Sequence, residues 1–204
     1  MNYNPTQTNF AGVSPPGEES CKMIEAVLRY PVGSVLDLGT GTGFIGVSLA
    51  LKDFEVEATD INNKALENAK KNAQLAKVSI KIFYSDLFDH IHRKYDFILF
   101  NPPRNPDEGL LTRLIISIIK KYPPLVNLIL PLAQLIFGNK RRQFLLSFIN
   151  NAQTYLNLKG RLILHLTEAE FKELSQSLPT IEFNLETLLL KSSGNEVITS
   201  IIFQ

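Results

Sequence analysis

Apolar and polar positions along this chain alternate between two periods, one of two residues and one of three to four. Residues 34–38 and 95–100 are near-continuous apolar runs, the pattern of strands buried on both faces of a sheet. Residues 54–60, 78–84 and 161–167 also read as strands, and 181–190 and 196–203 as two more around the turn Ser192-Ser193-Gly194-Asn195. Between them lie stretches with helical spacing: 18–30 with Met23, Ile24, Val27 and Leu28 on one face, 44–52, 62–76 with Ala65, Ala69 and Ala73, and 168–178. Residues 110–137 read as two helices parted at Tyr122-Pro123-Pro124, and 140–158 as another, closed by Lys159-Gly160. The alternation predicts an α/β fold, a doubly wound, mostly parallel sheet of seven strands with one antiparallel strand near its end. Residues 1–17, polar and rich in Asn, Thr and Pro, form an arm over the domain, and 18–204 make a single domain.

Composition narrows the class without changing that picture. Length and a hydrophobic content of 45% allow one domain with a substantial core. A net charge of +1 gives no chain-wide nucleic-acid footprint. Lys120-Lys121 and Lys140-Arg141-Arg142 are read as solvated helix faces, with phosphate contact as the alternative. Cys21 is the single cysteine, which rules out an internal disulfide and fits a small buried apolar residue in a reducing compartment. The most apolar region, 110–137, is broken by lysines and prolines and lacks the ~20 uninterrupted apolar residues of a membrane span. With no basic-plus-apolar leader at the start, the expectation is a soluble cytoplasmic protein that does not engage a membrane. Residues 125–137 carry more apolar surface than one amphipathic helix buries, which offers a face for a partner subunit.

The candidate chemistry sits where strands end. Asp37-Leu38-Gly39-Thr40-Gly41-Thr42-Gly43 follows the first strand and opens into a helix, a strand–turn–helix arrangement in which backbone approaches a ligand closely. The Gly-Lys-Ser/Thr signature of phosphate loops is absent, and an acid at the strand tip suits a ligand carrying positive charge. Asp60 lies 21 residues after Gly39, at the spacing where an acid accepts from ribose hydroxyls. Asp86, before Leu87, is placed to accept from an adenine amino group, with a plain cap as its alternative. Asp37, Asp60, Asp86 and Asn101 end the first four strands, so an open sheet brings them to one crevice. Gly41-x-Gly43-x-x-Gly46 also satisfies a nicotinamide pattern, but that reading leaves Gly39 and Asp37 unexplained. In Asn101-Pro102-Pro103 two prolines stiffen a turn behind an amide, which lets the asparagine oxygen and neighbouring carbonyls accept from a planar NH2 group. His90, His92 and His165 have no metal-ligand spacing and read as structural, with no metal expected.

The glycine stretch resembles the S-adenosylmethionine site of class I methyltransferases, whose Rossmann-like fold has the predicted architecture. The resemblance implies that cofactor, S-adenosyl-L-methionine, held by Asp37, Gly39, Thr40, Gly41, Gly43, Asp60, Ile61, Asp86, Leu87 and Asn101. Asn101-Pro102-Pro103 resembles the Asn-Pro-Pro-aromatic motif of amino-methyltransferases and implies that these three residues are catalytic. Arg104 departs from that motif, where an aromatic residue usually stacks on the acceptor; a guanidinium plane also stacks. Pro16-x-x-Glu19-Ser20-x-x-Met23, Pro106-Asp107-Glu108 and a Gly-Asn-Lys-Arg-Arg helix start at Gly138 are similar to release-factor glutamine methyltransferases, a likeness spanning residues 16–164. It implies substrate contacts from Pro16, Glu19 and Arg104. Long members of that family carry an amino-terminal helical substrate domain, whereas only residues 1–33 precede the first strand here, so the substrate would be held differently or by a partner. The implied reaction is methyl transfer to a side-chain nitrogen of a protein or peptide, a glutamine amide above all. The alternatives are an exocyclic amino group of an RNA or DNA base, a small-molecule amine paired with Arg104, and a cofactor-binding module without catalysis.

Overall fold

Burial selects the centre of the sheet. In the computed structural model, which describes residues 7–102, 126–177, 183–186 and 196–203, strand β1 (Ser34–Leu38) is buried at all five positions. It pairs in parallel with β2 (Glu55–Asp60) on one side and β4 (Tyr95–Phe100) on the other. Beyond β2 lies β3 (Lys81–Tyr84), and beyond β4 lies β5 (Leu156–Thr167), both parallel to their neighbours. The last strand, β7 (Glu196–Phe203), inserts antiparallel between β5 and β6 (Phe183–Glu186). The order β3-β2-β1-β4-β5-β7-β6 is the doubly wound, seven-stranded sheet expected from the hydrophobic pattern, with β7 as its antiparallel strand.

The chain leaves β1 toward one edge and later crosses back to β4, so the strand order reverses between β1 and β4. A crevice at the carboxyl ends of the strands is the consequence. Two cores lie on the two faces, and the two-residue period assigns side chains to them. Val35, Phe97 and Leu99 pack with Met23, Ile24 and Val27 of α1 (Glu18–Val27) and Phe44 and Leu49 of α2 (Phe44–Ala50). Leu36, Ile98 and Phe100 pack with Leu145, Phe148 and Ile149 of α4 (Val126–Thr154) and Leu174 of α5 (Glu168–Ser177). Helix α3 (Asn63–Ala76) begins at Asn62, whose side chain accepts from the Lys64 amide at 3.0 Å, and ends at Lys77 in the left-handed region.

Two expectations about the second half need correction. The predicted break near Gly138 does not occur: one helix runs from Val126 to Thr154 through it. A glycine inside a helix costs only ~1 kcal/mol relative to alanine, less than abandoning the turns on either side. Nor do Lys159-Gly160 close a helix. The helix stops at Thr154, the Tyr95 amide donates to the Tyr155 carbonyl at 2.9 Å, and β5 is already under way at Leu156. Between the pairs Tyr95↔Leu156 and Phe97↔Arg161 the register shifts, and Lys159 takes φ 63°. Those residues therefore form a bulge. The helix expected over 110–121, its Tyr122-Pro123-Pro124 boundary and the turn at 192–195 lie outside the described residues, as do the side chains of 126–137. No helix among the described residues is long and apolar enough to cross a membrane.

The arm is fastened to α3. Buried Asn72 accepts from the Thr8 amide at 2.8 Å and the Thr8 hydroxyl at 3.0 Å, and Asn68 accepts from the Phe10 amide at 2.8 Å. Both amide NH2 groups return hydrogen bonds to the Thr8 carbonyl, at 2.8 Å from Asn68 and 2.9 Å from Asn72. Asn72 also donates to the Thr42 carbonyl at 2.8 Å, tying arm and glycine turn to one side chain. Sequence periodicity marks these helix positions only as polar.

Candidate active site

The crevice is a cavity of about 680 Å³, lined by the tips of β1, β2 and β4, the turn after β3, and residues 12–16 of the arm. At its floor Asp37, 3% exposed, accepts from the Thr40 hydroxyl at 2.7 Å and from the Gly46 amide at 3.1 Å. Burial pushes its carboxyl up to about 6, against those two hydrogen bonds and with a small push from Asp60. The glycine turn is also stitched to β2, because the Thr40 amide donates to the Thr59 carbonyl at 2.9 Å. Asp60 accepts from the Gly41 amide at 2.9 Å and the Asn62 amide at 2.8 Å, which aims its carboxylate at the cavity. Beside it Ile61 is 57% exposed, an apolar side chain left open on the cavity wall. Exposed Asp86 and half-buried Leu87 follow β3 in a turn organised by Ser85, whose hydroxyl donates to the Leu87 carbonyl at 2.8 Å.

At the other end, Asn101 and buried Pro102 continue from β4. Pairing of Phe100 with Leu164 sets the next residues, Asn101 and His165, side by side. His165 Nδ1 lies 2.9 Å from Asn101 Oδ1, and His165 Nε2 lies 3.2 Å from Glu196 Oε2 on β7. Phe144 of α4 forms the adjoining wall, with Phe100 stacked on Phe148 at 4.4 Å between ring centres behind it.

Of the residues expected at the site, the cavity is lined by Asp37, Gly39, Thr40, Gly41, Asp60, Ile61, Asp86, Leu87, Asn101, Pro102, Pro16 and Glu19. Gly43 does not line it: a Cβ there would sit 2.9 Å from that of Ala69, so its glycine serves the packing of α2 on α3 at φ 80°. Pro103 and Arg104 lie outside the described residues. His165, read as structural, is instead part of the cavity wall, and Phe144 and Glu196 were missed. The available signal was an imidazole inside the apolar run Leu162-Ile163-Leu164-His165-Leu166, since a buried polar group needs partners. Of the cluster read as a solvated face, Lys140 is exposed and the Arg142 side chain is 40% exposed, but Arg141 is largely covered. Arg141 pairs with Glu170, while Arg142 donates to Ser177 at 2.8 Å and lies 3.4 Å from Glu173, joining α4 to α5. Cys21 is partly rather than fully buried. No group of His, Cys, Asp and Glu suited to a metal occurs among the described residues.

Sheet order and cavity together define the class I methyltransferase architecture. Two solved structures share it: a methyltransferase from Pyrococcus furiosus (TM-score 0.71, 15% identity, 99% of this chain and 90% of that one) and a ribosomal protein L11 methylase from Lactobacillus delbrueckii subsp. bulgaricus (TM-score 0.65, 19%, 95% and 83%). Residues 20–124 match the family described as methyltransferase small domain, and the chain belongs to that family. Among curated relatives, it is 40% identical over 92 residues to a Methanocaldococcus jannaschii protein provisionally named protein N5-glutamine methyltransferase (45% of this chain, 47% of that one). It is 40% identical over 93 residues to the release factor glutamine methyltransferase of Streptococcus pneumoniae (43% and 33%). It is 37% identical over 73 residues to the ribosomal RNA small subunit methyltransferase C of Buchnera aphidicola (35% and 21%). The matched segments thus span half or less of these relatives.

The family implies S-adenosylmethionine, and the residues present fit it. Among the described lining residues are Asp37, Asp60, Asp86 and Glu19 but no lysine or arginine, a donor set for a cation and not for a phosphate. Asp60 would hold the ribose hydroxyls, Ile61 the face of the adenine ring and Asp86 its amino group.

Proposed function

We propose that this protein transfers a methyl group from S-adenosylmethionine to the side-chain amide nitrogen of a glutamine in a protein or peptide. The observation that carries the reading is Asn101, which follows β4 directly and lines the same cavity as the acids. When bound, the cofactor supplies a methyl group activated by the positive sulfonium. An amide nitrogen is a weak nucleophile because its lone pair is delocalised, so the protein's task is orientation more than basicity. Asn101 accepts a hydrogen bond from the acceptor NH2 and turns its lone pair toward the methyl carbon. Buried Pro102 fixes the backbone behind it, with φ held by the ring. Phe100 and Phe144 give the acceptor a dry, flat wall. With the cofactor bound, one carbon–nitrogen bond would form as the carbon–sulfur bond breaks, and the nitrogen would then release its proton to solvent.

The names of the relatives favour one second reading, the exocyclic amino group of a ribosomal RNA base. Incubation with methyl-labelled S-adenosylmethionine, offering purified release factor in one reaction and ribosomal RNA in another, tests both. Label on a glutamine, located by peptide mass spectrometry, supports the proposal. Label on RNA alone, with methylation declining steeply as salt rises, would replace it with the second reading.

A further inference from the structure

The arm that walls one side of the cavity has little apolar surface to hold it down. Between Thr8 and Pro16 only Val13 is buried, while Ala11, Gly12, Ser14, Pro15 and Pro16 are exposed. So few apolar contacts put a segment at the low end of local stability. What fixes this one is polar. Asn68 and Asn72, both fully buried on α3, hold the Thr8 amide, hydroxyl and carbonyl and the Phe10 amide at 2.8–3.0 Å. A leucine at either position would glue the arm shut, whereas an amide can exchange the arm for water at small net cost. The fastening is therefore a latch. Beyond it, the Val13 amide donates to the Phe10 carbonyl at 3.0 Å, around Gly12 at φ 88°. That turn carries the chain across the glycine turn, where the Ser14 carbonyl lies 3.9 Å from the place of a Cβ on Gly41.

We infer that residues 8–16 are a strap over the S-adenosylmethionine site, latched by Asn68 and Asn72, and that filling the cavity and closing the strap are coupled. A ligand in the cavity meets residues 12–16 only while the strap is closed, so it favours that state. The coupling is reciprocal, and whatever loosens the latch must weaken the ligand. Neither asparagine lines the cavity, so both are positioning residues that act through the arm. This rests on the cofactor the family implies and not on the identity of the methyl acceptor.

Hydrogen exchange of the full chain, with and without S-adenosylhomocysteine, reads the coupling without turnover. The Thr8, Phe10 and Val13 amides, all hydrogen-bonded, should exchange about tenfold more slowly in the saturated protein. Asn68→Ala tests the latch itself, because Asn68 bonds the arm whereas Asn72 also bonds the glycine turn. Its S-adenosylhomocysteine Kd and dissociation rate should rise about tenfold. Ser34→Ala, which removes a buried hydroxyl from Asp96 at the far end of β1, should leave both unchanged. Arm exchange unaffected by saturating ligand overturns the proposal, as does a loss in Ser34→Ala equal to that in Asn68→Ala. If Asn68→Ala does not fold, the wild-type exchange decides by itself. Failure of the wild type to bind S-adenosylhomocysteine would remove the cofactor and the strap together, whereas binding with an unprotected arm removes the strap alone.

Discussion

Replacing Asp37 by asparagine should make the protein more stable and a poorer binder of S-adenosylmethionine, and pH should separate the two effects. The carboxyl is fully enclosed, and its pKa moves from 3.8 to about 6, chiefly through burial. At 1.36 kcal/mol per unit, the ionised form costs the folded state about 3 kcal/mol. The sign follows from the direction of the shift. Because the folded pKa is raised, the folded chain binds the proton more tightly than the unfolded chain. The cost is absent below about pH 4, grows as pH rises, and is complete above about pH 6. Asparagine is neutral throughout, and its oxygen still accepts from the Thr40 hydroxyl and the Gly46 amide.

Urea unfolding of wild type and Asp37→Asn at several pH values therefore has a definite expectation. The variant gains about 3 kcal/mol at pH 8, about half of that at pH 5, and little at pH 4. Titration calorimetry should show the opposite for ligand. S-adenosylmethionine affinity falls about tenfold or more in the variant at pH 8, and in wild type it weakens as pH drops through 6, because the carboxylate that attracts the cation is being protonated. S-adenosylhomocysteine, which lacks the sulfonium charge, should lose less. A variant destabilised equally at pH 8 and pH 5 would show that the hydrogen bonds of the carboxylate outweigh its burial. Unchanged S-adenosylmethionine affinity would show that the cofactor does not sense Asp37, and the reasoning would fail at that step.

Other perturbations separate cavity from scaffold. Asn101→Ala should abolish turnover with S-adenosylmethionine affinity within a few fold, and an equal collapse of both would make Asn101 structural. Asp60→Ala should weaken S-adenosylmethionine by about 2 kcal/mol, roughly thirtyfold, in calorimetry against an NAD control that does not bind. Gly43→Ala should cost about 2–4 kcal/mol in urea unfolding, from a left-handed alanine and a Cβ pressed on Ala69, with little direct effect on ligand contacts. Asn72→Leu leaves the Thr8 amide and the Thr42 carbonyl without their buried partner, about 2–4 kcal/mol. Hydrogen exchange of residues 8–16 should accelerate in that variant, and unchanged protection would mean that the arm is held elsewhere.

The sequence showed most clearly what is local. A strand, its terminal acid and the following turn are contiguous, so Asp37, Gly39, Gly41, Asp60 and Asp86 could be placed by counting along the chain. The strand boundaries 34–38, 95–100 and 196–203 came out as read because apolar runs between polar breakers have few alternatives. The failures share one cause, which is distance along the chain. Gly138 looked like a helix start through its resemblance to a family motif, yet it lies inside α4. Lys159-Gly160 looked like a cap, yet they form a bulge whose register is set by β4 more than fifty residues earlier. His165 looked like an isolated polar residue because its partners, Asn101 and Glu196, stand 64 and 31 positions away.

That division has a functional side. The family match ends at residue 124, and β1, β2, β3 and the start of the acceptor turn all fall within it. Phe144, His165 and Glu196 fall beyond it, on α4, β5 and β7. The match therefore includes Asp37, Asp60, Asp86 and Asn101 and leaves Phe144, His165 and Glu196 outside it. Relatives named for glutamine and for ribosomal RNA match this chain with nearly equal identity, over 93 and 73 residues. In the proposed function the acceptor is chosen where α4, β5 and β7 meet the β4 tip. Exchanging Phe144, His165 or Glu196 should accordingly change which nitrogen is methylated, or how fast, well before it changes the affinity for S-adenosylmethionine.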